Sequence, residues 1–425
     1  MVIRCNGHQI FLKVEVIGMS SNNEMNRNTL PEIQLTSAAF KHEAYDIYKE
    51  LRASHPVYQV YPNAWLITRY EDAVSLLKDT RLLKDAKNVF SKEEFEAYFT
   101  LENGEYLRKH MLRSDPPDHS RLRSLVQKAF TPQMILQLKD NIQAIANTLL
   151  DKIEHQHTIN LVNDYAFPLP IIVISEMLGI PQEDRDKFRI WSHTVIDSPD
   201  TLEAIRETDK KLGEFIDYLR DLVDKKRENP SNDLVSALIQ AESEGTKLSA
   251  PELNSMIMLL IVAGHETTVN LITNMTLALL EHPDQLLLLR QNPDLIDSAI
   301  EESLRFYSPV EITTMRWAAE SFTLHGQNIH PKNEVIISLA SANRDEKIFP
   351  NAHIFDITRK NNRHIAFGHG IHFCLGAPLA RLEAKIAIPT LLHRMPNLKL
   401  KGKREDLKWS GNYLIRSLEE LPLSF

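Results

Sequence analysis

Apolar positions recur with a helical period along most of the chain. Between Lys41 and His55, Ala44, Ile47, Tyr48 and Leu51 share one helical face. From Glu71 onward the same spacing predicts helices over 115–155, 182–228, 231–243, 250–281, 284–308 and 375–395. Alternation is confined to short stretches. "VYQVYPNAWLITRY" predicts two strands turning at Pro62 and Asn63, with further strand signals at 334–340 and 411–418. Strands therefore gather near the two ends with helices between them, and the βαβ alternation of a doubly wound nucleotide fold is missing. The expected architecture is mainly α with a minor β region. There is no internal repeat, low-complexity tract or Gly/Ser linker, so residues 31–425 read as one domain. Residues 1–30, with the polar run "SSNNEMNRNT", read as a flexible N-terminal arm.

The longest helical pattern opens with Ser249 and, three positions on, Glu252, a capping-box signature. It runs to about Glu281, roughly 30 residues or ~45 Å, enough to cross a whole domain. Its middle, "IVAGHETT" (261–268), contains a glycine that costs about 1 kcal/mol relative to alanine. It also contains an acid, Glu266, in an otherwise apolar stretch. An irregularity of this kind calls for a local cause.

Composition narrows the function classes. With 43% hydrophobic and 25% charged residues, the 425-residue chain is an ordinary globular one, and its net charge of -8 argues against a nucleic-acid-coating role. Two cysteines, Cys5 and Cys374, are too few for a disulfide framework, which suits the reducing cytoplasm. The opening apolar run is interrupted by Lys13 and Glu15, so no membrane anchor or signal peptide is expected.

The densest cluster of chemistry-bearing residues is "FGHGIHFCLG", Phe367 to Gly376. Glycines 368, 370 and 376 permit positive φ and close approach of backbone to a flat partner. The helix expected from Leu375, with Pro378 in its first turn, puts Cys374 at a helix N-terminus, where the dipole favours a thiolate. Such a thiolate is a metal ligand or a nucleophile; the commoner fate of a lone cysteine is an inert buried one. As a nucleophile it would take His372 as base. A structural zinc is poorly served by one Cys and scattered His.

The combination Phe-Gly-x-Gly-x-His-x-Cys-x-Gly resembles the haem-binding loop of the cytochrome P450 superfamily. The resemblance extends over about residues 35–425. It implies the cytochrome P450 fold, with the long central helix over haem b (iron protoporphyrin IX). Cys374 is then the iron ligand, and Phe367, Gly368, His372 and Gly376 lie against the cofactor. In "EESLR", Glu302 and Arg305 resemble the family's Glu-x-x-Arg pair, which joins a downstream arginine, here Arg359, to brace the loop. "AGHETT" resembles the oxygen-activation segment: Ala263 and Gly264 lie over the haem, and Glu266 and Thr267 are the acid and alcohol that deliver protons. A zinc-protease reading of "HE" fails because position 269 is valine. In "DHSRLR", His119 and Arg123, four apart on one helix face, are implied to hold haem propionates together with Arg316 and His372.

The implied activity is insertion of one oxygen atom from O2 into an apolar organic molecule such as a fatty acid, terpenoid, steroid or polyketide. No flavin or nicotinamide segment is appended, so electrons are expected from a ferredoxin or flavodoxin with its NAD(P)H reductase. The segment Ile357–Leu382 has no Asp or Glu and includes Arg359, Lys360, Arg363 and Arg381, a basic face suited to an acidic partner. Expected pocket walls are 81–113, Ile190–Pro199, Leu260 with Ala263 and Gly264, 310–315 including Glu311 and Thr313, and Tyr413 with Leu414. Two other readings use the same pocket: a peroxygenase fed with peroxide, and a haem carrier or sensor without turnover.

Overall fold

The computed structural model describes residues 33–98, 101–196, 202–243, 248–410 and 413–425; the N-terminal arm at 1–30 lies outside them. A helix at Ala250–Glu281 runs through the centre. Its Ser249 hydroxyl accepts from the Glu252 amide while the Glu252 carboxylate accepts from the Ser249 amide at 2.7 Å, so the capping box forms as the sequence indicates. Helices Pro168–Leu178, Ile296–Phe306 and Ala377–Arg394 pack around it. The central helix is long and apolar enough to cross a membrane, but most of its apolar length is buried by these neighbours. Its hydrophobicity is that of a core.

Gly264 has its local cause here. A Cβ at that position would lie 3.0 Å from two carbons of Ile174, so the missing side chain lets helix Pro168–Leu178 approach closely.

Several long helical patterns are subdivided. The 115–155 stretch becomes Asp118–Ala129, Pro132–Gln137 and Lys139–Asp151, because Thr131 caps a new helix and Pro132 fits only its first turn. The 284–308 stretch divides at Pro293 into Pro283–Gln291 and Ile296–Phe306. Helices Arg185–Ile196 and Leu202–Glu228 flank positions outside the described residues. At 334–340 the strand stops at Ile337, since the Ser338 side chain caps the short helix Leu339–Ala342.

The main sheet has five strands, in the order Val57–Tyr61, Ala64–Ile67, Glu334–Ile337, Trp317–Ala318, Leu82–Leu83. Leu66 pairs in parallel with Ile336, which joins the first strands of the chain to its C-terminal part. Of the strand expected at 411–418, residues 411 and 412 lie outside the described residues, and the described part carries isolated bridges, Val310 with Ile415 and Trp409 with Leu418. A three-residue strand, Thr158–Asn160, pairs with Pro422–Ser424 inside the helical region; it is too short to show alternation.

Candidate active site

The Cys374 loop is held from both ends. Gly368 and Gly370 have φ of 72° and 73°, and a Cβ at Gly370 would lie 2.9 Å from the Leu77 carbonyl, so both turns need glycine. Gly376 is different: at φ -81° it is the N-cap of helix Ala377–Arg394, and a Cβ there would meet the Cys374 sulfur at 4.0 Å, an ordinary contact, so neither conformation nor protein packing requires glycine. The Cys374 amide donates to the Phe367 carbonyl at 2.9 Å, closing the loop. Upstream, the Ile365 amide donates to Asn343 Oδ1 at 2.7 Å, and Asn343 Nδ2 donates to Ser308 Oγ at 2.8 Å. Asn343 carries no sequence signal that singles it out.

The thiol opens onto a large internal cavity and is otherwise enclosed by protein. Burial pushes it up from its ordinary value, opposed by the Gly376 and Ala377 amides and the charges of Arg123 and Arg381. The helix N-terminus thus acts in the expected direction but does not by itself yield a thiolate. A cation bonded to sulfur would complete the charge balance.

Behind the loop, Glu302 and Arg305 are fully buried and bonded twice, at 2.7 and 2.8 Å. Arg359 Nε donates to both Glu302 oxygens at 3.1 and 3.2 Å, and the Asp356 amide and Asn362 side chain complete the carboxylate. Arg305 also donates to the carbonyls of Asn343, Ala352 and Ile354. The three sequence-predicted residues meet as one network that fixes the segment leading into the loop.

On the other side of the cavity the charges are one-sided. His119 is 2% exposed with neither ring nitrogen hydrogen-bonded among the described residues, and its ring lies 4.3 Å from that of His372. Arg316 is buried and pushed down to about 10 by that burial. Lys84, buried beside the Thr314 hydroxyl, is held well below its ordinary range by burial and then by Arg316 and Arg113. His119 and His372 are lowered as well, each chiefly by burial. The anions nearby do not balance this cluster. Asp115 accepts the Lys84 and Asp85 amides, and burial pushes Glu334, near Arg113, up to about 7. Arg123 is partly committed, donating to the Phe373 carbonyl at 2.8 Å. Lys84 and Arg113 escaped sequence reasoning because nothing in "RLLKDA" or "MLRSDPP" marks a cation as inward-facing. The donor set suits an apolar disc with carboxylates at one edge and a metal that accepts a thiolate, which is the description of haem.

Across the cavity, Ala263, Gly264 and Thr267 of the central helix form part of the lining, with Thr267 Oγ1 donating to the Ala263 carbonyl at 3.1 Å. Glu266 does not line the cavity; it turns to the side of the helix, beside His265.

Two expected wall residues are corrected. Glu311 is fully buried away from the cavity, ion-paired with Lys41 at 2.5 Å and accepting from Tyr48 at 3.1 Å, because its neighbours Val310 and Thr313 take the inward positions. Tyr413 points to Glu334, 3.5 Å away, and Leu414 with Ile415 faces the cavity instead. The expected basic face also loses members. Arg381 makes two bonds to Glu301, at 2.6 and 2.8 Å, and lies 4.5 Å from the Phe367 ring, while Arg359 belongs to the Glu302 network. Lys360 and Arg363 remain exposed.

The Cytochrome P450 family model matches residues 37–408. A cytochrome P450 of Bacillus subtilis (strain 168) is 66% identical over 411 residues, covering 96% of this chain and 100% of that protein. The polyketide biosynthesis cytochrome P450 PksS of the same organism is 46% identical over 394 residues, covering 91% and 96%. The crystal structure of myxobacterial cytochrome P450 CYP267B1 in complex with myristic acid matches with a TM-score of 0.87 at 43% identity, covering 92% of this chain and 98% of that one. The chain belongs to the cytochrome P450 family. It is a bacterial-type haem-thiolate monooxygenase, which inserts one atom of dioxygen into an apolar organic substrate with electrons from a separate redox partner.

Proposed function

We propose that Cys374 ligates the haem iron, with Phe367, Gly368 and Gly376 shaping the pocket around it and His119, Arg123, Arg316, His372 and Lys84 holding the propionates. The observation that carries this reading is the thiol opening onto a cavity whose edge is lined with buried, under-compensated cations. Once bound, the haem supplies reductive activation of dioxygen. The chain's own residues bind, exclude water and move protons. Thr267, whose hydroxyl lines the cavity, and Glu266, beside the helix, are the alcohol and the acid that would pass protons inward, with the Thr267 hydroxyl turning from the Ala263 carbonyl to do so. Glu302, Arg305 and Arg359 keep the loop in place.

The apolar walls, including Leu260, Leu271 and Leu414, suit a hydrocarbon body. Arg108 lines the same cavity and is pushed down to about 10, first by burial and then by Arg113. An acid end group would relieve that cost. Together with the myristic acid held by CYP267B1, this favours a long-chain fatty acid or a similar apolar acid as substrate. A ferredoxin or flavodoxin would reach the loop past Lys360 and Arg363, and the two-cysteine chain is suited to the cytoplasm.

The test is the carbon monoxide difference spectrum of the reduced protein, expected to show the strongly red-shifted Soret band of thiolate ligation and to lose it in Cys374→Ala. A histidine-type band in the wild type would overturn the assignment. For the substrate, myristic acid is expected to shift the spin state at lower concentration than its methyl ester, and Arg108→Gln to abolish that preference; equal affinities would remove the acid anchor.

A further inference from the structure

Residues 107–113 form part of one wall of the cavity, and two of them are cations, Arg108 and Arg113. Arg113 closes the short turn Met111–Arg113. Its one side-chain hydrogen bond among the described residues runs from Nη1 to the Met315 sulfur at 3.5 Å. A thioether is a weak acceptor, and a guanidinium has five N–H groups to place. Burial works against the charge of Arg113, and the one acid acting on it is Glu334. Glu334 is itself 4% exposed and pushed up to about 7 by burial, so near neutral pH it supplies only part of a counter-charge. Arg108 is better served, with Glu105 and Asp85 both acting on it.

The haem does not call for this charge. Its two propionates already face Lys84, Arg123 and Arg316 along the cavity edge. Arg113 disfavours the charge of Lys84 at that edge, and equally those of Arg108 and His110 on its own wall. His110 is 7% exposed, lines the same cavity and has no hydrogen-bond partner at Nδ1 among the described residues. A buried guanidinium held by a sulfur atom, with a second guanidinium nearby, is costly while the cavity is free of anions. An anion entering with the substrate relieves that cost.

We propose that Arg113 is a specificity-determining residue, which with Arg108 forms a subsite for the acid end of an apolar acid. This rests on the reading of the substrate as an acid and adds a second cation to its anchor. The planar fork of a guanidinium matches a carboxylate through two parallel, charge-assisted bonds, a partner that the Met315 sulfur does not replace. The hydrocarbon body then meets the apolar walls, and the charged end has a wall of its own.

Spin-state titrations of the holoprotein with myristic acid and with its methyl ester test the subsite. Arg113→Gln is expected to weaken myristic acid about tenfold or more, the loss of a charge-assisted bond, and to leave the ester nearly unchanged. Arg113→Lys, which keeps the charge without the fork, should recover part of the loss. Haem transfer to apomyoglobin should proceed as in wild type. If wild type binds acid and ester equally, the acid reading falls and the subsite with it. If wild type prefers the acid, and Arg108→Gln abolishes that preference while Arg113→Gln leaves it intact, the acid reading stands and Arg113 has no part in it. If Arg113→Gln speeds haem transfer and weakens acid and ester alike, Arg113 belongs to the haem edge and the proposal is overturned.

Discussion

The Glu302 network and the Lys84–Arg316–His119 cluster both bury charge within reach of the Cys374 loop, but they are balanced in opposite ways. In the first, one carboxylate is shared by two guanidiniums, an amide and a carboxamide, and the leftover guanidinium N–H groups end on carbonyls. In the second, cations and histidines press together with their charged forms disfavoured, and two imidazole nitrogens of His119 have no hydrogen-bond partner among the described residues. The first is complete within the chain. Among the described residues the second lacks a balancing anion, which the carboxylates of the proposed haem site would supply, and the contrast separates what the polypeptide needs in order to fold from what it would need in order to hold that cofactor.

Removing one partner from the complete network should have the largest effect. Arg305→Ala takes one of two guanidiniums from the buried Glu302 and the donor from the Asn343, Ala352 and Ile354 carbonyls, and is expected to destabilise the protein by ~3–5 kcal/mol, with or without haem, as read by denaturant unfolding. A loss confined to the haem-bound form would erase the contrast. Arg316→Met should do the reverse: it removes a buried, poorly compensated charge, so the apoprotein keeps or gains stability. Haem retention should weaken by ~1.5–3 kcal/mol for the lost charge-assisted bond, which is about tenfold or more in affinity, measured by transfer to apomyoglobin. Equal loss in both forms would make Arg316 a fold residue.

Glu301 sharpens the comparison at an intermediate, half-exposed site. Burial would raise it, but Arg381 and His364 prevail and hold it down at about 2. A folded-state value below the ordinary 4.5 means stability that is full above 4.5 and lost as pH falls towards 2. Glu301→Gln should therefore be less stable than wild type by at most ~1 kcal/mol at neutral pH, with the gap closing between those two values in acid unfolding. A gap independent of pH would assign the effect to packing. The smallest effect is expected outside the core. Arg363→Glu should slow partner-driven reduction a few-fold at low salt and match wild type at high salt, whereas rates insensitive to salt would remove this face as the docking site.

Residues whose roles are local were legible in the sequence. The capping box at Ser249, the strand pair around Pro62 and Asn63, the helix after Gly376 and the Glu-x-x-Arg pair all depend on spacing of a few residues, which periodicity and turn chemistry report. The Gly-rich thiol loop was legible for the same reason. Glu311 was not, because on an irregular segment nothing in the sequence says which neighbour faces inward; Lys41 and Tyr48, from the first helix, turned it away from the cavity. Arg381 looked free because Glu301, its partner, is on another helix.

By itself, then, the sequence determined the helical class, the long central helix, the family and the thiol loop, since each is carried by short-range pattern or contiguous motif. Only the tertiary structure decided which charges are spent on one another and which are left for a ligand. It also showed that Gly264 makes room for Ile174, and that the tautomer of His265 is set by a carbonyl one turn away. Burial and pairing are properties of neighbours in space, and the free energy of a buried charge depends on those neighbours far more than on the residues beside it in the chain.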